Sequence, residues 1–157
     1  MEYKKDKRTK NLTLRDIHVG DWVQAWRSIP KEYTPPMKVS SIHYDGTVYL
    51  VSDDEGHCTP FEANIKDIDA LPITPDLLKG FGFSVKMYSS GDGKIRYNDH
   101  YISFLRKYYE VEEDFSGMIY EVETDQNTIL HFWYMHEYIA YVEDILEIKI
   151  EWKGIEK

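Results

Sequence analysis

A β-dominated α+β fold is what this chain of 157 residues predicts, and three observations carry the prediction. Its first half is a succession of short β-branched and aromatic runs separated by Gly- and Asp-containing turns. The segment LPITPDLLKGFGF interrupts them with the signals of a helix start and stop. Near the end, HFWYMHEYIAYVEDIL carries apolar residues at helical spacing.

Taken in order, IHVGDWVQAW reads as the first strand, and MKVSSIHYDGTVYLVS as a hairpin with Asp45-Gly46 at its turn. Asp53-Asp54-Glu55-Gly56 is a second turn candidate, after which HCTPFEANI and KDIDALPI supply two weaker strands. Short strands at this density, opened by Val19-Gly20-Asp21, look like a small SH3-like barrel spanning residues 12–72. Residues 1–11 form a basic tail before it, and residues 73–157 form an α+β lobe packed with the barrel as one unit.

In that second lobe Thr74 caps a short helix whose first position is Pro75, where a missing N–H costs nothing. Gly80 or Gly82 ends it. SSGDGK is a hairpin tip, and strands follow at DHYISFLRKYYEVEE, GMIYEVET and TILHFW, with Asp125-Gln126-Asn127 turning the chain into the last. Met118, Tyr120 and Val122 alternate with Ile119, Glu121 and Glu123, so mainly one face of that strand is apolar. Met135, Tyr138, Ile139, Val142, Ile145 and Leu146 make one stripe of a C-terminal amphipathic helix that packs on the antiparallel sheet. LEIKIEW alternates with period two and reads as a further strand, with Ile148, Ile150 and Trp152 on one side.

Charge and cysteine usage bound the function. Residues 1–15 hold six Lys/Arg against two Asp/Glu, so 13 cations face 26 acids in the remainder, a balance of −13. Such a body repels a polyphosphate backbone, which proteins bind mainly through Lys and Arg. Nucleic acid is therefore disfavoured as a partner, although the tail MEYKKDKRTK could touch it. Cys58 is the single cysteine, so no intrachain disulfide can form. The N-terminus is charged from Glu2 onward, and no apolar run reaches the roughly 18–20 residues needed to span a bilayer. The expected location is the cytoplasm, with no membrane partner.

The chemical motifs fail one by one. A zincin helix needs a second histidine four residues after the first, and the position after His136-Glu137 that would supply it is Ala140. His57-Cys58 is too small a cluster for structural zinc. GDGK at 91–94 lacks the spacing and the Ser/Thr of a phosphate loop. No serine sits in a nucleophile elbow. No cofactor, metal ligand or catalytic residue is assigned.

What the sequence does offer is surface. Strand parity places Ile17, Val19, Val23 and Ala25 on one side of the first strand, assigned to the barrel interior, and Trp22, Gln24 and Trp26 on the other. Trp22 and Trp26, with Tyr44 and Tyr49, form the candidate binding surface. Glu110, Glu112, Glu113, Asp114, Glu121 and Glu123 form a second, acidic patch. The leading expectation is a non-catalytic protein-interaction module with a protein partner of unknown identity. The alternatives are nucleic-acid handling by barrel aromatics and the basic tail, an acidic decoy of a nucleic-acid-binding protein, and an enzyme whose site is assembled from distant residues.

LRDIHVGDWV, LPITPDLLKGFGF and HFWYMHEYIAYVEDILEI, in this order, resemble small uncharacterised proteins common in Bacteroidetes genomes and their prophages or mobile elements. Tyr134 and His136 match the closing motif of that group, while Glu137-Tyr138-Ile139 departs from its usual glutamine and Asp144-Ile145 from its glycine. The resemblance implies a barrel-plus-α/β architecture and a phage or mobile-element accessory protein, and it carries no activity.

Overall fold

The computed structural model describes residues 12–52, 60–98, 101–111, 116–124 and 130–154. They form a β-dominated α+β fold with two antiparallel sheets and a C-terminal helix, as expected. Contacts divide the chain into two compact units, Met1–Leu71 and Pro72–Lys157.

In the first unit β1 (Trp22–Ser28) is the hub. It pairs with β2 (Lys31–Tyr33), β3 (Met37–Ile42) and, through Gln24↔Asp69, β6 (Ile68–Ala70). Beyond β3 lie β4 (Thr47–Val51) and β5 (Phe61–Asn64), giving six strands along the path β2-β1-β3-β4-β5 with β6 on β1. No pairing among the described residues joins the ends of this path, so closure into the expected SH3-like barrel is not confirmed. The core is Val23, Ala25, Val39, Val48, Leu50, Ile68 and Ala70, all essentially inaccessible.

The first strand begins later than its composition predicts. Gly20 has φ +100° and donates its N–H to Val39 O, while Asp21 N–H turns back to His18 O. That left-handed residue breaks the alternation upstream, so Val19, expected in the interior, is 65% exposed. Asp45-Gly46 does form the β3–β4 turn. Gly46 has φ +94°, His43 N–H donates to Thr47 O, and Thr47 N–H donates to Asp45 Oδ1 at 2.9 Å. That last backbone donor holds the Asp45 carboxyl below its ordinary pKa.

In the second unit α1 (Pro75–Gly80) starts as predicted, with Thr74 Oγ1 accepting from Leu77 N–H at 3.1 Å. A five-stranded sheet follows in the order β11-β10-β9-β8-β7. Its strands are β7 (Ser84–Met87), β8 (Gly93–Tyr97), β9 (Tyr101–Val111), β10 (Ser116–Thr124) and β11 (His131–Phe132). Helix α2 (Met135–Leu146) closes the fold. One sheet face presents Ile95, Tyr97, Ser103, Leu105, Val122 and Thr124, all buried. Tyr138 of α2 reaches it, donating its hydroxyl to Ser103 Oγ at 2.9 Å and lying against Phe83 and Phe132.

Two expectations fail at the C-terminal end. The buried stripe of α2 comprises Met135, Tyr138, Ile139 and Val142, whereas Ile145 is 41% exposed and Leu146 is half-buried where the chain leaves the helix. Ile148–Trp152 form no strand. Glu147 adopts the left-handed conformation at φ 53°, and Ile150 N–H goes to the Glu143 carboxylate at 2.8 Å instead of to a neighbouring strand. The alternation serves packing: Ile150 is fully buried, and Trp152 sits edge-on to Phe81 against Gly80, whose hydrogen leaves room that a Cβ would fill.

Candidate functional site

The aromatic surface expected on β1 is not open. Trp22 is 1% exposed, and Trp26 is half-buried. Their shared face is occupied by side chains from each strand that pairs with β1. Lys38 of β3 places its Nζ 5.7 Å from the centre of the Trp22 ring. Tyr33 of β2 packs edge-on to Trp26 with centroids 5.0 Å apart and donates its hydroxyl to buried Asp69 of β6 at 2.6 Å. Gln24 donates to Ala70 O. A strand inside a sheet can be covered on both faces, and β1 is. Of the four predicted contact residues, Tyr44 alone is fully exposed, at the β3–β4 turn, and Tyr49 is half-buried with His43 edge-on to it.

The acidic patch is also altered. Glu112, Glu113 and Asp114 lie outside the described residues, and Glu110 is placed only as a backbone position in β9. Glu121, assigned to the polar side of its strand, is 5% exposed and paired with His131 Nδ1. Glu123 pairs with Arg106 Nε at 2.6 Å. Glu123 is committed to a cation and Glu121 to an imidazole within the sheet, so neither carboxylate stands alone on the surface.

A cluster of positive charge lies on the β7–β8 hairpin. Burial alternates along β8: Gly93, Ile95 and Tyr97 face inward, and Lys94 and Arg96 face outward. Cross-strand register sets Ser84 opposite Arg96 and Lys86 directly opposite Lys94. The three cations thus share one face with Ser84, and with Val85 and exposed Tyr88 they line a groove of about 410 Å³. Like charges directly opposite each other destabilise a sheet. No carboxylate among the described residues lies within ion-pair distance of Lys86 or Lys94. The acid of this hairpin, Asp92, is engaged at the tip, where Oδ1 accepts from Lys107 N–H at 3.0 Å. β7 is the edge strand, and Ser84, Lys86 and Met87 are exposed along it.

Sequence reading passed over this cluster, although part of the signal is visible. Lys94-Ile95-Arg96 alternates cleanly, and Val85-Lys86-Met87 does the same in the facing strand. Only the register brings the two runs onto one face.

The other motifs bring no metal-binding cluster together among the described residues. His136 is half-buried with its ring stacked 6.3 Å from that of Tyr134. Among the described residues, no group of three or more His, Cys, Asp or Glu is placed to hold a metal ion. Cys58 and His57 lie outside them. No described helix is long and apolar enough to cross a membrane. No protein-family model matches the chain, and neither a curated protein nor a solved structure was found to be similar to it.

Proposed function

We propose that this chain is a non-catalytic protein-interaction module, and that the β7–β8 hairpin is the face through which it engages an acidic surface of its partner. The observation carrying this reading is the direct opposition of Lys86 and Lys94, with Arg96 beside them, in a chain holding 28 acids against 19 Lys and Arg. Lysine on β7 alone is explained by edge protection, since charge on an edge strand discourages unwanted pairing. That explanation does not reach Lys94 and Arg96, because β8 is an interior strand with neighbours on both sides. Two lysines held opposite each other at a cost in sheet stability are accounted for by an anionic partner that relieves the cost. The sequence resemblance supplies the setting, an accessory protein of a phage or mobile element.

Tyr88, 41% exposed at the rim of the same groove, supports a second reading in which a single-stranded nucleic acid stacks on its ring. Titrating the isotopically labelled full chain with polyglutamate and with oligothymidylate, at low salt, tests both. The protein reading expects amide shifts clustered at Lys86, Tyr88, Lys94 and Arg96 with polyglutamate. Shifts with oligothymidylate alone transfer the site to nucleic acid, and an unperturbed hairpin in both titrations removes it.

A further inference from the structure

Resting on the protein-interaction reading, we infer that the occupant of this face is an extended acidic segment that adds to β7 as a sixth strand of the second sheet, with acidic residues at alternate positions. β7 pairs with β8 alone, at the end of the sheet order, so its far side offers main-chain donors and acceptors. Among the described residues, Ser84, Val85, Lys86 and Met87 make no hydrogen bond beyond that pairing. The edge and the cations are therefore one continuous surface, formed by the same four residues and the strand behind them.

An added strand is read by parity. Its side chains on the cationic face stand beside Ser84 and Lys86 and reach diagonally toward Lys94 and Arg96. Those on the opposite face stand beside half-buried Val85 and exposed Met87, an apolar strip. The fitting segment therefore alternates acidic with apolar residues, the main chain giving affinity and the alternation giving register.

Other occupants are less well matched. A second copy pairing edge to edge sets Lys86 of one chain toward Lys86 of the other, a like-charge juxtaposition that disfavours the dimer. A nucleic acid can use the cations and, through phosphate oxygens, the open N–H groups, but its backbone has no regular row of donors for the open carbonyls. An apolar strand meets uncompensated lysine charge. An acidic strand uses both the edge and the charge.

The experiment is fluorescence anisotropy of short labelled peptides with the full chain at low ionic strength. A peptide of alternating Glu and Val is expected to bind, and one of alternating Lys and Val is not. N-methylation of every second amide, along the side that would face β7, removes main-chain donors without altering charge. It is expected to weaken binding by at least about tenfold. Lys94→Glu with Arg96→Glu is expected to weaken the unmodified peptide similarly, with an unchanged circular dichroism spectrum, and Lys86→Glu serves if that double variant fails to fold.

Equal affinity for the methylated and unmodified peptides overturns strand addition while leaving the cationic face as an interaction site. Tighter binding of oligothymidylate than of the Glu/Val peptide overturns the polypeptide partner. Binding of the Glu/Val peptide unaffected by charge reversal overturns the placement on this face, and absence of binding by both probes overturns the inference and the interaction reading together.

Discussion

In β1 the run Trp22–Ala25 is buried on both faces, whereas along β8 burial alternates residue by residue, with Lys94 and Arg96 out and Ile95 in. Both strands lie inside their sheets, so position in the pairing order does not separate them. The side chains do. On the even face of β1, Trp22 meets Lys38, Trp26 meets Tyr33, and Tyr33 hydrogen-bonds Asp69. These contacts come from three neighbouring strands, so the rings of the even face are covered by the fold itself. On the outer face of β7 and β8, Lys86 and Lys94 stand opposite each other, and two like charges cannot pair and so stay in water. Coverage by neighbouring strands, more than aromatic content, decides which face remains available for a partner.

The strongest challenge to that contrast is Trp22→Ala. A fully buried indole removed from β1 is expected to cost about 3–5 kcal/mol in urea unfolding followed by circular dichroism. A loss below about 1 kcal/mol would mean that the ring is not packed, and would restore the even face of β1 as a contact surface. Next in size is Ile95→Ala, which empties the inward side of β8 and is expected to cost about 2–5 kcal/mol by the same measurement. Its outward neighbour sharpens the test: Lys94→Ala is expected to change stability by no more than about 0.5 kcal/mol. Comparable costs at positions 94 and 95 would refute the alternation itself.

A smaller effect separates hydrogen bonding from packing on the covered face of the second sheet. Tyr138→Phe keeps the ring against Phe83 and Phe132 and removes only the hydroxyl that donates to Ser103. The expected loss is about 1 kcal/mol. A double-mutant cycle with Ser103→Ala is expected to recover most of that loss as coupling, because the two hydroxyls are direct partners. Zero coupling would place the helix differently on the sheet.

Much of the architecture was legible because it depends on local chemistry. Asp45-Gly46 makes its turn because Gly46 tolerates positive φ and Asp45 accepts from Thr47, both properties of the dipeptide and its neighbour. Thr74-Pro75 starts α1 for equally local reasons. Met135 through Val142 bury one stripe because helical spacing forces them onto it. What was not legible depends on partners far along the chain. Parity correctly divided Trp22 and Trp26 from Val23 and Ala25, but it cannot say that Lys38, Tyr33 and Asp69 will occupy the second side. Barrel closure is likewise a statement about which strand ends meet, and local patterns in β1–β6 leave the sheet open or closed with equal ease. The period-two run at Ile148–Trp152 is satisfied by a carboxylate from α2 and by a glycine in α1, neither of which is adjacent in sequence. The candidate site shows the same division, since its alternation lies in GKIRY and its clustering in the register Lys86↔Lys94.

The smallest expected effect on stability is the most informative about function. Replacing Lys94 by glutamate turns a like-charge cross-strand pair with Lys86 into an opposite-charge pair. Pairs of that kind contribute roughly 0.2–1 kcal/mol in sheets, so Lys94→Glu is expected to raise the urea midpoint slightly. If the cations merely decorate a solvated face, that gain comes without loss, and peptide binding is unchanged. If they exist to meet an acidic strand, the same substitution strengthens the fold and weakens recognition, because the new carboxylate repels the incoming acids. Opposite signs in the two measurements are hard to obtain from damage to the fold, which would lower both. A residue that costs stability where it stands, and whose replacement costs binding, is held there by its partner and not by the sheet.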